Sequence, residues 1–214
     1  LLKEIEYAGT AMKEQGMYAE SIYIGGGTPT TLSAEQLDLL ITTVKKYFDL
    51  DKCIEFTVEA GRPDTITKEK LLVIKELGAT RISINPQTMN DSVLKAIGRN
   101  HTSYQTREAF LMARECGFDN INTDLIAGLP GESFASFSRT VDAILALEPE
   151  NITLHTFCVK RAADIVRNDK NVYSRTGGTV GKCVDYAQLE AKNAGYLPYY
   201  MYRQKYQAGN NENV

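Results

Sequence analysis

The stretch that decides the fold runs Ser21-Ile22-Tyr23-Ile24-Gly25-Gly26-Gly27-Thr28-Pro29-Thr30. Its first residues are mostly apolar and β-branched or aromatic, which predicts a short strand over 21–25. The glycines that follow predict a tight turn. Ser33 and Gln36 then form the pattern of a capping box, which predicts a helix running to about Phe48. The stretch therefore predicts a strand, a glycine turn and a helix in series.

The same alternation continues along the chain on both sides. Further strands are predicted over residues 54–59, 81–85, 121–126, 151–157 and 198–202. Helices are predicted over residues 1–15, 67–77, 90–98, 103–116, 134–147 and 178–194, with Ser103 as the cap of the fourth. Strands that alternate with helices of this length predict βα units, a parallel sheet and the α/β class. The spacing of the units is compatible with a doubly wound sheet or with a barrel.

The chain opens on a helix that no strand precedes, and it lacks an initiator Met. In a βα series each helix follows a strand, so the pattern predicts that the first strand and its loop lie upstream of Leu1. The alternative is that this helix is an N-terminal extension.

Composition limits the classes of protein to which the chain can belong. With 214 residues, 43% apolar and 24% charged, the chain is predicted to form one globular domain over 1–214. A net charge of -3 argues against a general nucleic-acid binder, and the absence of a long apolar run argues against a membrane span. The four cysteines are widely separated, so they predict no metal site and favour reduced thiols in the cytoplasm.

Polar residues follow most of the predicted strands, where ligands bind in parallel βα folds. They are the glycine turn, Glu59, Asn85-Pro86-Gln87, Asp124, His155 and the segment Tyr202-Arg203-Gln204-Lys205. Two carboxylates, an amide, the nearby Arg99 guanidinium and an exposed backbone suit a ligand with an ammonium, a carboxylate and ribose hydroxyls.

Each of these residues also has a simpler interpretation. The glycines alone predict only a turn, Glu59 is compatible with a solvated strand end, and Arg99 suits the end of a helix dipole. His155 is more typical of a hydrogen-bonded strand histidine than of a metal ligand. Asp124 is harder to explain this way, since a carboxylate on a buried strand must be paired.

Four segments in this order resemble the oxygen-independent coproporphyrinogen III oxidases of the radical S-adenosylmethionine (SAM) superfamily. The segments are Gly25–Thr30, Thr80–Gln87, Leu94–His101 and Asn122–Gly131. The resemblance covers about three quarters of the chain, and its most specific part pairs Gly-Gly-Gly-Thr-Pro-Thr with Asn-Thr-Asp-Leu-Ile-Ala-Gly-Leu-Pro. It implies an open (β/α)6 partial barrel of the radical SAM type, truncated at both ends, with its first strand and cluster loop missing from this chain.

The resemblance also implies a role for individual residues. Backbone groups of Gly26, Gly27 and Thr28 would meet the SAM ammonium, with which Glu59 would pair. Arg99 would pair with the SAM carboxylate, and Gln87 and Asp124 would bind the ribose hydroxyls. Phe157 and Cys158 would flank the adenine.

The sequence departs from the family in three places. The C-x3-C-x2-C motif that ligates a [4Fe-4S] cluster is absent and is expected upstream of Leu1, so this fragment alone is expected neither to hold the cluster nor to cleave SAM. Asn85-Pro86-Gln87 stands where the family usually has Gly-Val-Gln. The segments 198–205 and 209–213 resemble the branch called coproporphyrinogen dehydrogenase.

The implied activity is oxidative decarboxylation of coproporphyrinogen III propionates to vinyl groups by a SAM-derived 5′-deoxyadenosyl radical. A flavodoxin-like or ferredoxin-like donor would supply electrons. Arg161, Arg203 and Lys205 are candidate partners of the propionates of this tetrapyrrole substrate, although solvated surface cations explain them equally well. The alternatives are a haem chaperone with the same barrel and a radical SAM enzyme that acts on another small substrate.

Overall fold

A computed structural model of the protein describes residues 1–158 and 177–201. Seven helices lie in the described residues: α1 (Leu2–Glu14), α2 (Ala34–Tyr47), α3 (Lys68–Glu76), α4 (Asp91–Ala96), α5 (Ser103–Glu115), α6 (Phe134–Leu145) and α7 (Gly177–Asn193). The strands are β1 (Ser21–Ile24), β2 (Glu55–Glu59), β3 (Arg81–Ser83), β4 (Ile121–Ala127) and β5 (Asn151–Thr156). Two short 3₁₀ turns, Pro29–Thr31 and Pro63–Thr65, follow β1 and β2.

The five strands form one sheet in the order β1-β2-β3-β4-β5. The pairs β1–β2, β2–β3 and β3–β4 are parallel. A doubly wound sheet reverses its strand order at a switch point, whereas a βα barrel keeps the order of the chain. The sequential order therefore confirms the predicted α/β fold and favours the barrel topology.

Local sequence signals set the helix starts. The Ser33 Oγ accepts from the backbone N–H of Gln36 at 3.3 Å, and the Gln36 Oε1 accepts from the Ser33 N–H at 3.0 Å, which confirms the capping box. The predicted cap of α5 is wrong by one residue. Thr102, not Ser103, accepts the capping bond, from the Gln105 N–H at 3.2 Å.

The strand predicted over 198–202 is absent from its described part, residues 198–201. Pro198 has no N–H to donate to a ladder, and the side chains of Tyr199, Tyr200 and Met201 are 60–77% exposed. The segment is held by side chains instead. The Tyr196 hydroxyl donates to the Pro149 carbonyl, and the Asn151 amide donates to the Tyr199 hydroxyl at 2.9 Å.

The chain divides into two compact units. The first contains Leu1–Asn85 and Glu108–Asn122. Its core packs α2 and α3 against the first strands, with Leu37, Ile41, Val58 and Leu71 fully buried. A Cβ at Gly9 of α1 would lie 2.7 Å from both the Tyr47 Cβ and the Tyr47 carbonyl oxygen, so α1 and α2 meet at backbone distance.

The second unit contains Pro86–Arg107 and Thr123–Val214, of which 159–176 and 202–214 lie outside the described residues. Its core joins β4, β5, α6 and α7 through Leu125, Phe137, Ile144, Leu154 and Val180. Within the described part of the chain, no helix combines the length and the apolar character needed to cross a membrane.

Candidate functional site

In the first unit, the glycine turn after β1 presents exposed backbone. Gly25, Gly26 and Gly27 are exposed, and Gly26 has a φ of 101°, a conformation that side chains disfavour. The Thr28 carbonyl accepts from the Thr31 N–H at 2.9 Å and from the Thr31 hydroxyl at 2.7 Å. Both lone pairs of the Thr28 carbonyl are thus engaged. The carbonyls of this turn that remain to accept a hydrogen bond from a ligand are those of the glycines.

Glu59 ends β2, and the structure brings it to this turn. A Cβ at Gly25 would lie 2.8 Å from the Glu59 Oε2, and a Cβ at Gly61 would lie 3.0 Å from the Glu59 Oε1. The half-buried carboxylate therefore lies directly over two glycine backbones. An anionic group beside exposed carbonyls forms a site for a small cation such as an ammonium group.

Gly61 was not predicted to shape the site, and Gly25 was predicted only as part of the glycine turn. The available signal was a glycine immediately after β1 and another two residues after Glu59. A Cβ at Gly25 would collide with the Tyr23 Cε1 as well as with the Glu59 Oε2, whereas a Cβ at Gly61 would press closely on the Glu59 Oε1. The glycines are needed here for close approach of a side chain, not only for a turn.

Lys70 anchors the two 3₁₀ turns that follow the site. Its ammonium donates to the Thr30 carbonyl at 2.7 Å and to the Thr65 carbonyl at 3.1 Å. The hydroxyls of Thr30 and Thr65 lie 2.6 Å apart. These bonds fix where the chain leaves the glycine turn and where it leaves Gly61.

Asn85, at the position where the sequence departs from the family, is 3% exposed and belongs to a polar network. Its Oδ1 accepts from the Ser83 hydroxyl at 2.8 Å, and that hydroxyl accepts from the Asn122 amide at 2.7 Å. Arg81 joins Asn122 to Glu55 with bonds of 3.2 and 3.0 Å. The departure therefore has a structural role in the first unit.

In the second unit, the structure brings together Gln87, Asp124 and His155. The Gln87 N–H donates to the Asp124 carbonyl at 3.0 Å, and the Ile126 N–H donates to the Gln87 carbonyl at 3.0 Å. The Asp124 Oδ2 lies 3.7 Å from the His155 Nε2, and both side chains stay partly exposed. The Asp124 carboxylate therefore has a histidine ring beside it, on the next strand of the sheet.

Gln87 itself has a φ of 71°, which is unusual for a residue with a side chain. It is 7% exposed and follows Pro86, whose carbonyl accepts from the Nε2 of buried His101 at 3.2 Å. A backbone held this firmly in the left-handed region is a feature of ligand sites. Sequence analysis gave His101 no role of its own.

The other predicted residues lie in the same unit or outside the described residues. Arg99 is half-buried and follows Gly98, which lies just beyond α4 and has a φ of 74°. Phe157 and Cys158 are half-buried beyond β5, and the Phe157 N–H donates to the Ala127 carbonyl at 2.8 Å. Arg161, Arg203 and Lys205 lie outside the described residues.

The described residues do not fit an iron–sulfur cluster. The cysteines are Cys53, Cys116, Cys158 and Cys183, and no group of three or more His, Cys, Asp or Glu side chains among residues 1–158 and 177–201 could hold a metal ion. Such clusters need several thiolates at one place. The carboxylate over the glycine turn and the Gln87–Asp124 pair do fit SAM, which carries an ammonium group and ribose hydroxyls.

Comparison with known proteins decides the family. The family model of the radical SAM superfamily matches residues 1–144. The chain belongs to the radical SAM superfamily. Members of this superfamily use SAM and a [4Fe-4S] cluster.

Individual relatives refine this assignment. The oxygen-independent coproporphyrinogen-III oxidase-like protein HemZ of Bacillus subtilis (strain 168) is 46% identical over 213 residues, which is 99% of this chain and 42% of that protein. The heme chaperone HemW of the same organism is 38% identical over 161 residues, 73% of this chain and 41% of that protein. The resemblance to the coproporphyrinogen III oxidase family is confirmed. This radical SAM chain spans less than half the length of these two relatives.

The fold is shared with a solved radical SAM enzyme. Coproporphyrinogen III oxidase (HemN) from Escherichia coli matches with a TM-score of 0.75 at 21% identity, over 92% of this chain and 46% of that one. At this identity the match concerns the fold alone, and it confirms the predicted radical SAM architecture.

Proposed function

We propose that this radical SAM protein binds SAM at the C-terminal ends of its strands. The observation that carries the proposal is the Glu59 carboxylate lying over the glycine turn. In the proposal, Glu59 pairs with the SAM ammonium, and Gly26, Gly27 and Thr28 meet it through backbone groups. The Thr28 carbonyl is already engaged by Thr31, so Thr28 would accept from the ammonium with its hydroxyl oxygen.

The second unit would bind the uncharged part of SAM. Gln87 and Asp124 would bind the ribose hydroxyls, since an amide and a carboxylate can each accept from a hydroxyl. Their backbones are hydrogen-bonded to each other, which keeps the two side chains in a fixed relation. His155 beside Asp124 would keep that carboxylate oriented.

Three further residues complete the proposed SAM contacts. Arg99 would pair with the SAM carboxylate, for which a guanidinium is well suited. Phe157 and Cys158 would flank the adenine with an aromatic ring and a small polarisable side chain.

The proposed domain covers residues 1–214 as one radical SAM domain.

For the reaction, we propose oxygen-independent oxidative decarboxylation of coproporphyrinogen III propionates to vinyl groups. The supporting observation is the 46% identity to a coproporphyrinogen-III oxidase-like protein. Bound SAM supplies the hydrogen-abstracting radical in this chemistry, while the protein orients the substrate and excludes water. Arg161, Arg203 and Lys205 would bind substrate carboxylates, a flavodoxin-like or ferredoxin-like protein would donate electrons, and the reaction would take place in the cytoplasm.

A second candidate function is haem handling. The 38% identity to a heme chaperone over 73% of this chain supports it. A chaperone would bind haem and would not convert coproporphyrinogen III. A radical SAM enzyme with another small substrate is the third candidate.

The test uses the full-length protein, reconstituted with iron and sulfide under anaerobic conditions. Formation of 5′-deoxyadenosine from SAM is measured with dithionite, with and without coproporphyrinogen III. The proposal expects 5′-deoxyadenosine to rise with the substrate and a vinyl product to form.

The other outcomes discriminate the alternatives. SAM cleavage that ignores coproporphyrinogen III, together with tight haem binding, would support the chaperone. SAM cleavage without either response would indicate another substrate. No cleavage, with the cluster present and Arg99 and Asp124 intact, would refute the enzymatic proposal.

A further inference from the structure

Directly after Gln87, a buried hydroxyl organises the loop of the second unit. Thr88 is fully buried, and its Oγ1 donates to the Glu132 Oε1 at 2.6 Å. The same Oγ1 accepts from the Asn90 N–H at 3.1 Å and lies 3.2 Å from the Thr140 hydroxyl. A threonine hydroxyl has one donor and two acceptor positions, so Thr88 is fully engaged by these three partners.

The residues that follow are attached to the same helix. The Met89 N–H donates to the Thr140 hydroxyl at 3.0 Å, and the Asn90 amide donates to the Ser136 hydroxyl at 2.7 Å. Ser136 and Thr140 both lie on α6. Three consecutive residues after Gln87 are thus fixed by side chains, not by a β ladder.

Glu132 is the charged member of this cluster and lies just before α6. Its Oε1 accepts from both Thr88 and Ser136, the latter at 3.2 Å. Its Oε2 is buried without a hydrogen-bond partner among the residues that the structure describes. Burial raises the pKa of Glu132 although both hydroxyl bonds act to lower it. A carboxylate retained in such a place has a role that a neutral apolar residue would not fill.

The position of the cluster indicates that role. Gln87 has a φ of 71°, a conformation that a residue with a side chain keeps only when its surroundings impose it. On one side, Gln87 is held by its backbone bonds to β4. On its C-terminal side, Gln87 is restrained through Thr88, whose hydroxyl is bound by the Glu132 carboxylate.

We infer that Glu132 is a positioning residue of the SAM site. Its carboxylate fixes Thr88, and Thr88 in turn holds the left-handed backbone of Gln87, so that the Gln87 amide faces a ribose hydroxyl. This inference rests on the proposed binding of SAM by Gln87. Glu132 touches no SAM atom in this arrangement and acts only through Gln87.

The experiment is a double-mutant cycle on the full-length protein, with SAM affinity measured by equilibrium dialysis. The variants are Glu132→Ala, Gln87→Ala and the double variant. Each single change is expected to weaken SAM binding by about tenfold, the loss of one good hydrogen bond. The double variant is expected to bind no more weakly than Gln87→Ala, because Glu132 has nothing left to orient.

Two further variants separate positioning from general loss of structure. Glu132→Gln keeps an oxygen that can accept from Thr88, so it is expected to bind SAM within about threefold of the parent protein. Ser133→Ala removes the cap of α6, whose Oγ accepts from the Ser136 N–H at 3.2 Å. It is expected to lower thermal stability and to leave SAM affinity unchanged.

The results that would overturn the inference are specific. Additive losses in the double variant, or an equal loss of affinity in Ser133→Ala, would make Glu132 a general structural residue. An unchanged affinity in Glu132→Ala, with a loss in Gln87→Ala, would refute the role of Glu132 and leave the proposed SAM site standing. An unchanged affinity in both Gln87→Ala and Asp124→Ala would refute the proposed site itself.

Discussion

The two units organise their strand ends in different ways. In the first unit, Gly25 lies beneath the Glu59 carboxylate, and the exposed Gly26 and Gly27 that follow it have open space at their Cβ positions. In the second unit, Gln87 is 7% exposed and is held by buried side chains. The proposed ligand contacts of the first unit thus depend on open space at glycines, whereas those of the second unit depend on hydrogen bonds between residues far apart in the chain.

The largest expected difference in stability between the two units concerns the glycines that follow their strands. Gly128, after β4, has a φ of 85°, and a Cβ there would lie 2.4 Å from the Val180 Cγ2. Gly128→Ala combines backbone strain with overpacking and is expected to lower the free energy of unfolding by about 2–4 kcal/mol. Urea denaturation measures this change.

Two controls divide the effect of Gly128→Ala into its causes. Gly131 has a φ of 78° with open space at its Cβ position, so Gly131→Ala tests strain alone, at about 1–2 kcal/mol. Gly27 has open space and no left-handed φ, so Gly27→Ala is expected to change stability by less than about 0.5 kcal/mol. Equal losses in the free energy of unfolding for Gly128→Ala and Gly27→Ala would contradict the distinction between a packed turn and an open one.

A smaller effect is expected where the first unit does rely on a side chain. Lys70 donates to two backbone carbonyls beyond the glycine turn. Lys70→Met keeps the apolar stem and removes both bonds, so we expect a loss of about 1–3 kcal/mol in the free energy of unfolding. Lys68 pairs with exposed Glu115, so Lys68→Met is the matched control and is expected to change little. A loss as large in Lys68→Met would show that Lys70 is an ordinary surface lysine.

The smallest expected difference concerns thiol chemistry. Burial raises the pKa of Cys183 to about 11, and the Glu132 carboxylate adds to the shift. The thiolate is the reactive form, so alkylation of Cys183 should be slow at pH 8 and rise about tenfold per pH unit up to pH 10. Half-buried Cys53 in the first unit serves as the internal comparison and should react faster at pH 8. Mass spectrometry of iodoacetamide-treated protein measures both rates, and a Cys183 rate that levels off below pH 10 would contradict the shift.

Local signals made much of the fold predictable. The Ser33 cap lies where the sequence pattern placed it, because a capping bond spans only two or three residues, and α3 and α4 begin within one residue of their predicted starts. The first five strands were predicted to within a few residues at their ends. The sixth was wrong in its described part, since tyrosines favour a strand whether or not a neighbouring strand is present to pair with it.

The candidate site was predictable only in part, because local sequence patterns do not report contacts between residues that lie far apart in the chain. Glu59, Gln87 and Asp124 follow or lie on strands, so topology alone brings them to the ligand-binding edge of a parallel sheet. The contact between Thr88 and Glu132 joins residues 44 positions apart, and no local sequence pattern predicts such a contact. Gly61 was missed because its role is to leave room for a side chain that belongs to another residue.

The most direct test of the central claim is the affinity of the full-length protein for SAM when Glu59 is changed to Gln. Glu59→Gln preserves shape and removes the charge that would face the SAM ammonium, whereas Glu69→Gln removes an exposed charge on α3 of the same unit. We predict that Glu59→Gln weakens SAM binding by about tenfold or more and that Glu69→Gln leaves it unchanged. Equal affinities for the parent protein and Glu59→Gln would contradict the claim that the glycine turn and Glu59 form the ammonium site.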